Sequence, residues 1–452
     1  MSEPECHSVD RIGSRVASGL ERRYGERRQE RLARPDAIMR MFTVVTTNRA
    51  PGLRSEAVRE SNLSTILREL HGAGTASRTD LVERTGLTRS SVHALVGELA
   101  SFGLVAEERP APDGSPGRPS TVVRADPTRN VVLAIEVLVD SLAVAAFGLG
   151  GVEVHAEHME RPRDRTTPEQ TVVDVGDLYR RVVAMLDPAC AVYSVGIAAP
   201  GLVRQSDQMV VLAPNVGWKN LPLPAMLLNK CGLDLPVVVD NEAALAALAE
   251  TRRGAAINLD SVLCVWGEVG IGGGIVSDGQ LMKGASGFAG EIGHLPINLD
   301  GVLCRCGAIG CLETELGEES LLRRAGRPPD GGRAALTALF ADAAAGVPGV
   351  IEALAEQGRW LGIGLAGVIN LLDPNVVVLG GYLGEAMPFL VESMHVELDA
   401  RSIAAIGRSL SVVPGACGPH APLMGAAELA WESVIANPIE SLDHRVLASE
   451  LH

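Results

Sequence analysis

The residues best suited to chemistry lie in one short stretch: His294, then after nine residues Cys304, Cys306 and Cys311. Imidazole nitrogen and thiolate sulfur are the donors that suit Zn²⁺, and four of them complete a tetrahedral shell with no open position for a reactive water. The stretch therefore reads as a structural metal site. Cys304 and Cys306 can share an ion through a tight turn, and Gly307 and Gly310 let the backbone bend so that Cys311 returns to it. Three buried apolar thiols and a disulfide framework are the competing readings. Only eight cysteines occur in 452 residues, three of them here, while Cys6, Cys190, Cys231, Cys264 and Cys417 are scattered, which favours the metal. A large chain with no secretory signal and this cysteine usage points to a reducing cytoplasm. Acidic Glu291 and Glu313 flank the cluster.

The elements that must hold this site belong to a chain long enough for two or three domains. Its formal charge of −15 is uneven: residues 1–130 carry 20 Arg, no Lys and 17 Asp or Glu, a balance of +3 against −18 for the rest. An amino-terminal part able to approach an anionic polymer, followed by an acidic body, is the expectation. No apolar run is long enough to span a bilayer, so no membrane is expected.

Residues 1–57 read as a disordered extension rich in Arg and Glu, with Met39 and Met41 as alternative starts. Residues 58–126 read as a winged helix-turn-helix. Leu63, Ile66, Leu67 and Leu70 have helical spacing, Ser77-Arg78-Thr79-Asp80 is a capping box opening a second helix, and Thr85-Gly86-Leu87 is the turn. Thr88 then caps a third helix with Val92, Leu95, Val96 and Leu99 inward. In such a pair the second helix enters the major groove. Arg89, Ser90 and His93, with Arg78, Thr88 and Ser91 beside them, are the right types to touch bases or phosphates of double-stranded DNA. A three-helix bundle that merely packs is the alternative. The Gly/Pro-rich segment 107–119 reads as a wing whose tip carries Arg118, suited to a minor groove.

From 127 to 436 apolar strands alternate with helical patterns, for example Val131–Glu136, Ser141–Phe147 and Val376–Leu379 as strands and Glu242–Arg253 as a helix ending at Gly254. That alternation predicts an α/β body, with 437–452 left as a tail. Glu291-Ile292-Gly293-His294 followed by Cys-Arg-Cys-Gly-Ala-Ile-Gly-Cys-Leu-Glu is the most specific mark. With Gly196–Gly201, Pro214–Trp218, Asp240-Asn241-Glu242 and Leu372–Gly381, it resembles the ROK family (repressors, open reading frames, kinases) from about Asn62 to Trp431. The resemblance implies an actin-like (ribonuclease H-like) pair of lobes with a cleft near 240–313. It also implies a sugar in that cleft: Asn241, Glu242, Glu291, His294 and Glu313 match family positions that contact sugar hydroxyls, with Asn215 added. His294 would then serve the metal through one ring nitrogen and the ligand through the other.

The family also contains kinases, whose first strand turn is an Asp-x-Gly-Gly-Thr type loop open to nucleotide phosphate. Here the matching stretch is Glu136-Val137-Leu138-Val139-Asp140, without either glycine and with an added acid. In the second glycine-rich stretch, Gly267–Gly274, Glu268 would also repel phosphate, and Glu242 stands in the catalytic carboxylate position. The expectation is a sugar-responsive DNA-binding repressor, a homodimer or dimer of dimers, with structural Zn²⁺, no catalytic residues and no kinase activity. The alternative is an active ATP-dependent sugar kinase with an appended DNA-binding head. A third reading has the body sensing a phosphotransferase protein.

Overall fold

The computed structural model describes residues 55–108, 121–163, 167–403 and 410–451. The expected extension 1–57 lies almost wholly outside them, as does the wing tip with Arg118. The first helix, α1, spans Ser55–Ala73, so it begins seven residues before the predicted start at Asn62. Its buried stripe is the predicted one: Leu63, Ile66, Leu67 and Leu70 are at most 1% exposed. After the short strand β1 (Thr75–Ser77), Ser77 Oγ accepts from the Asp80 N–H and Asp80 accepts from the Ser77 N–H, opening α2 (Arg78–Thr85). Gly86, with φ of 69°, closes it in the left-handed conformation. Thr88 caps α3 (Arg89–Ser101). β2 (Val105–Glu108) and β3 (Val122–Ala125) pair antiparallel, and β1 pairs β3, giving a three-helix head with a small sheet.

The body holds two lobes. In the first, β4 (Asn130–Val137), β5 (Ser141–Gly148) and β6 (Val152–Glu160) form antiparallel neighbours, followed by α4 (Pro168–Met185) and the buried strand β7 (Ala191–Ala199) parallel to β4. A small sheet of β8 (Leu202–Arg204), β9 (Met209–Ala213) and β10 (Trp218–Leu221) leads through α5 (Leu223–Cys231) to β11 (Val237–Asn241), which pairs parallel with β7. Helix α6 (Glu242–Arg253) follows directly.

The second lobe contains β12 (Val262–Gly267), β13 (Ile271–Ser277) and β14 (Gln280–Leu281), a 3₁₀ turn at Ile292–His294, α7 (Leu312–Leu316), α8 (Glu318–Arg324), α9 (Gly332–Ala344) and α10 (Pro348–Leu372). It closes with β15 (Val376–Gly381), α11 (Tyr382–Arg401) and β16 (Ser411–Pro414), in sheet order β14-β13-β12-β15-β16. α12 (Ala421–Ala436) then returns to the first lobe, where Trp431 Nε1 donates to the Phe147 carbonyl at 3.0 Å.

Of residues 437–452, set apart above as a tail, the described ones, 437–451, are instead built into the first lobe. α13 (Pro438–Asp443) precedes β17 (Val446–Leu447), which pairs antiparallel with β7, and Tyr179 donates to the Leu451 carbonyl. Among the described residues no single helix is long and apolar enough to cross a membrane.

α6 is an alanine-rich rod set between close neighbours. A Cβ on Gly272 or Gly274 of β13 would lie 2.5 or 2.4 Å from the Ala243 or Ala247 methyl, and one on Gly425 of α12 would lie 1.9 Å from the Leu245 carbonyl oxygen. Small residues on both faces therefore allow backbones to approach that larger ones would hold apart. Its last turn is tied down by Glu250, fully buried, which accepts from the Ala255, Ala416 and Cys417 N–H groups at 2.8–3.0 Å.

The head docks where α6 and α12 end. The Gly150 N–H donates to His71 Nδ1 at 3.1 Å, which leaves the proton on Nε2 to donate to Glu428 of α12 at 3.0 Å. Arg253 of α6 reaches the other Glu428 oxygen at 2.8 Å and the His71 carbonyl at 2.9 Å. One turn on, Glu432 pairs with Arg68 of α1 and lies 3.8 Å from Arg252. The apolar core beneath is continuous, running from Leu63, Ile66 and Leu70 to Leu245, Leu423 and Trp431.

Burial alone would raise the Glu428 carboxyl, but His71 and Arg253 outweigh it and hold it at about 2, below its ordinary 4.5. An acid depressed in this way stabilises the fold above pH 4.5, and that stabilisation is lost as pH falls towards 2. Glu428→Gln, which leaves the partly buried Arg253 without its counter-charge, is expected to cost about 3 kcal/mol at pH 7. Urea unfolding at pH 7 and pH 3 should show that deficit narrowing; an equal deficit at both would remove charge from the explanation.

Candidate functional site

The cleft lies at the carboxyl ends of parallel strands β4, β7 and β11, the edge at which open α/β sheets place ligands. Here the chain leaves each strand in a loop: Leu138 and Val139 after β4, Pro200 and Gly201 after β7, and Asn241 and Glu242 where β11 becomes α6. Opposite them stand the β12–β13 turn, Glu291, His294 and Glu313, and the open cavity between has a volume of about 720 Å³. All six residues expected to face a sugar, Asn215, Asn241, Glu242, Glu291, His294 and Glu313, line this one cavity.

Their local roles differ. Asn241 is the cap of α6: its Oδ1 accepts from the Ala243 and Ala244 N–H groups, while Nδ2 donates to the Gly201 carbonyl at 3.0 Å and to Glu242 at 2.6 Å. Every hydrogen-bonding group of that amide is engaged, so it can reach a ligand only by exchanging a partner. Glu313, in the first turn of α7, accepts from the Ile271 N–H at 3.0 Å through one oxygen. Asn215 Oδ1 accepts from Arg305 at 3.1 Å.

The cleft is acidic, and burial raises three of its carboxyls. Burial, with Glu291 and Glu268 adding repulsion, pushes Glu242 up to about 8. Burial likewise pushes Glu268 to about 7, with Arg333 at 3.2 Å opposing it. Burial raises Glu291 too, against the pull of His294. Glu136, the acid at the end of β4, is fully buried; it accepts from the Leu423 N–H of α12 at 3.0 Å and lies 3.3 Å from His420 Nδ1. Its carboxylate thus caps a helix start.

Beside the cleft, His294, Cys304, Cys306 and Cys311 converge: one donor atom from each lies within 4.8 Å of all the others. His294 Nδ1 is 3.8 Å from Cys304 Sγ, and the Cys306 and Cys311 sulfurs are 3.7 Å apart. A tetrahedral zinc with Zn–S bonds near 2.3 Å has S···S edges of about 3.8 Å, so the donor set fits Zn²⁺. Burial pushes the Cys304 thiol up to about 12 and raises Cys311 as well, so these two need a cation beside them to ionise. The other ring nitrogen, Nε2, faces Glu291 at 3.9 Å in the cleft. The loop is folded by short bridges, Pro296 to Cys311 and Leu303 to Ile309, and by Gly307 and Gly310 at φ of 95° and 73°.

On the head, Arg89, Ser90 and His93 are exposed at the start of α3, as expected. Thr88 Oγ1 is occupied as a cap for the Ser91 N–H and meets the Ser90 and Ser91 hydroxyls. Arg78, expected to touch DNA, has its guanidinium held by Glu107 of β2 at 2.7 Å, because the β1–β3–β2 sheet brings that acid beside α2. Three residues were not anticipated. Arg163 bridges Asp140 of the first lobe at 3.1 Å and Glu318 of the second at 2.8 Å, Lys283 meets Asp240 at 3.0 Å, and Arg305 joins the cysteine loop to Asn215. Lys283 carried a faint signal as one of only three lysines; the arginines carried none.

Comparison with known proteins places this geometry. Residues 132–433 match the ROK family and residues 64–114 the MarR family. The xylose repressor of Bacillus subtilis (strain 168) is 29% identical over 373 residues, 82% of this chain and 95% of that protein. A crystal structure of a ROK family transcriptional regulator, homolog of the E. coli MLC protein, superposes with a TM-score of 0.70 at 26% identity, covering 85% of this chain and 99% of that one. A ROK family glucokinase from Streptomyces griseus, solved with glucose and AMPPNP, superposes with a TM-score of 0.60 at 28% identity, over 67% of this chain and 99% of its own. The chain belongs to the ROK family, with the family's actin-like two-lobed body and a MarR-type winged helix ahead of it.

Proposed function

We propose that this protein is a transcriptional repressor whose grip on its DNA operator is set by a sugar held in the cleft. The observation that carries the reading is α6. Its first residue, Glu242, faces the cleft, its cap Asn241 does too, and its last, Arg253, holds the head through His71 and Glu428. Twelve helical residues span about 18 Å, so one rigid element touches both sites. A sugar favours whichever lobe arrangement it binds better, and an arrangement that moves α6 moves the seat of the head. In a homodimer this would alter the distance between two recognition helices, which must match half-sites about one DNA turn apart. The similarity to a xylose repressor supports the same reading.

Wild type and Arg253→Ala provide the test, by titrating operator DNA with and without D-xylose, D-glucose and related sugars. A sugar should change wild-type operator affinity severalfold, and Arg253→Ala should still bind that sugar while its operator affinity no longer responds. An undiminished response in the variant would sink the coupling, and no response of wild type to any sugar it binds would sink the repressor reading.

His294, Cys304, Cys306 and Cys311 would hold the Zn²⁺, which when bound supplies a rigid tetrahedral anchor. The chain's own contribution is to turn His294 Nε2 and Glu313 towards the cleft. Cys306→Ser should therefore lose sugar binding at least tenfold while the isolated helical signature and DNA binding of the head persist, read by ligand titration and operator binding. Equal loss of both would make the cluster a fold-wide staple.

Absence of kinase activity is part of the proposal. The place of a phosphate-cradling loop holds Leu138, Val139 and the helix-capping Glu136, with Glu268 across the cleft. One observation favours the kinase alternative: a carboxyl near pH 8 at Glu242 is poised as a base. Sugar hydroxyls bound by the Glu242 carboxylate would release its proton, so sugar affinity should rise as pH climbs from 6 to 8, by up to about tenfold per unit. Glu242→Gln should flatten that slope. ADP released from ATP and Mg²⁺ with a sugar, and lost in Glu242→Gln, would establish the kinase instead.

A further inference from the structure

We propose that the cleft's ligand has two sugar rings, the second seated in a separate cavity beside the cysteine loop. The proposal rests on the sugar reading above and extends it. The second cavity, of about 610 Å³, shares Asn215, Val269 and Glu313 with the first as common walls. The two are separate openings that share only those walls, so a single ring seated in the first leaves the second unfilled.

One side chain of the second cavity reaches the shared wall. Arg305, between Cys304 and Cys306, donates to Asn215 Oδ1 at 3.1 Å and is held on its other side by Glu319. A guanidinium has donors to spare and can trade the Asn215 oxygen for a ligand hydroxyl without moving its anchor. That exchange would free Asn215, which lines both cavities, to meet a ligand that spans them.

The lining has the two-sided character of a pyranose, which presents C–H faces and hydroxyl edges. Val302 and Leu303, 59% and 72% exposed, supply an apolar wall with nothing packed on it among the described residues. Ser320 and Arg323 supply polar groups, and Arg323 makes no side-chain hydrogen bond or ion pair among the described residues. An anionic substituent suits the cavity less well: Glu313 and Glu319 stand against Arg305 and Arg323, so the lining carries no net positive charge, and Arg305 is already matched by Glu319. A neutral second ring fits the chemistry better than a phosphate.

Calorimetric titration of the full-length protein separates these cases, using D-glucose and D-xylose, then cellobiose, maltose and xylobiose, then glucose 6-phosphate. At least one disaccharide should bind tenfold or more tightly than either monosaccharide. Arg323→Ala and Leu303→Asp, both exposed substitutions outside the first cavity, should each reduce that preference severalfold and leave monosaccharide affinity within twofold, with unchanged unliganded melting confirming the fold. A monosaccharide binding as tightly as every disaccharide, or a preference for glucose 6-phosphate, overturns the second ring and leaves the sugar reading standing. Variants that weaken mono- and disaccharides equally also overturn it. Binding of no sugar overturns both readings.

Discussion

The buried carboxylate of Glu428 is the constraint around which this molecule is arranged. A charge that is 5% exposed is tolerated only when its partners are fixed in place, and here the partners come from two other elements: His71 closing α1 and Arg253 closing α6. The head therefore cannot swivel freely on the body, since any rotation that parts His71 or Arg253 from Glu428 leaves a bare ion in an apolar setting. Glu250 does similar work a turn earlier by accepting three backbone N–H groups. Between them these two acids weld the end of α6 to the approach and middle of α12.

At the other end of α6 the logic reverses. Glu242, Glu268 and Glu291 are buried without enough cations to offset it, so each keeps its proton to a higher pH than an ordinary carboxyl. Such a cleft has no lysine or arginine among the described residues of its lining to hold an anion, and it favours neutral molecules rich in hydrogen-bonding groups. Arg163 and Lys283, by contrast, tie acids of one lobe to the other. The cleft thus has charged ties at its margins and carboxyls raised by burial within it.

What could be read from the chain alone was what is local in it. The cysteine cluster sits within eighteen residues, and its donors meet because two glycines bend the loop; the Ser77–Asp80 box and Asn241 cap their helices from one to three residues away. The start of α1 was missed because Ser55–Ser61 carries almost no apolar stripe. Residues 437–452 were misjudged because their pairing partner, β7, lies some 250 residues earlier. Contacts such as His71–Glu428, separated by 357 positions, and the Arg78–Glu107 pair depend on how strands and helices stack. No spacing rule reports those.

The tight seat of α6 has a consequence for how such a protein can diversify. With Ala243 and Ala247 pressed on two glycines of β13, and Leu245 on Gly425 of α12, the middle of the rod admits almost no change of side-chain volume. Variation is left to its extremities, where one end meets the cleft and the other meets the head. Descendants of this chain can acquire a new effector or a new operator independently, because the shaft that joins them is the part that selection has least freedom to alter.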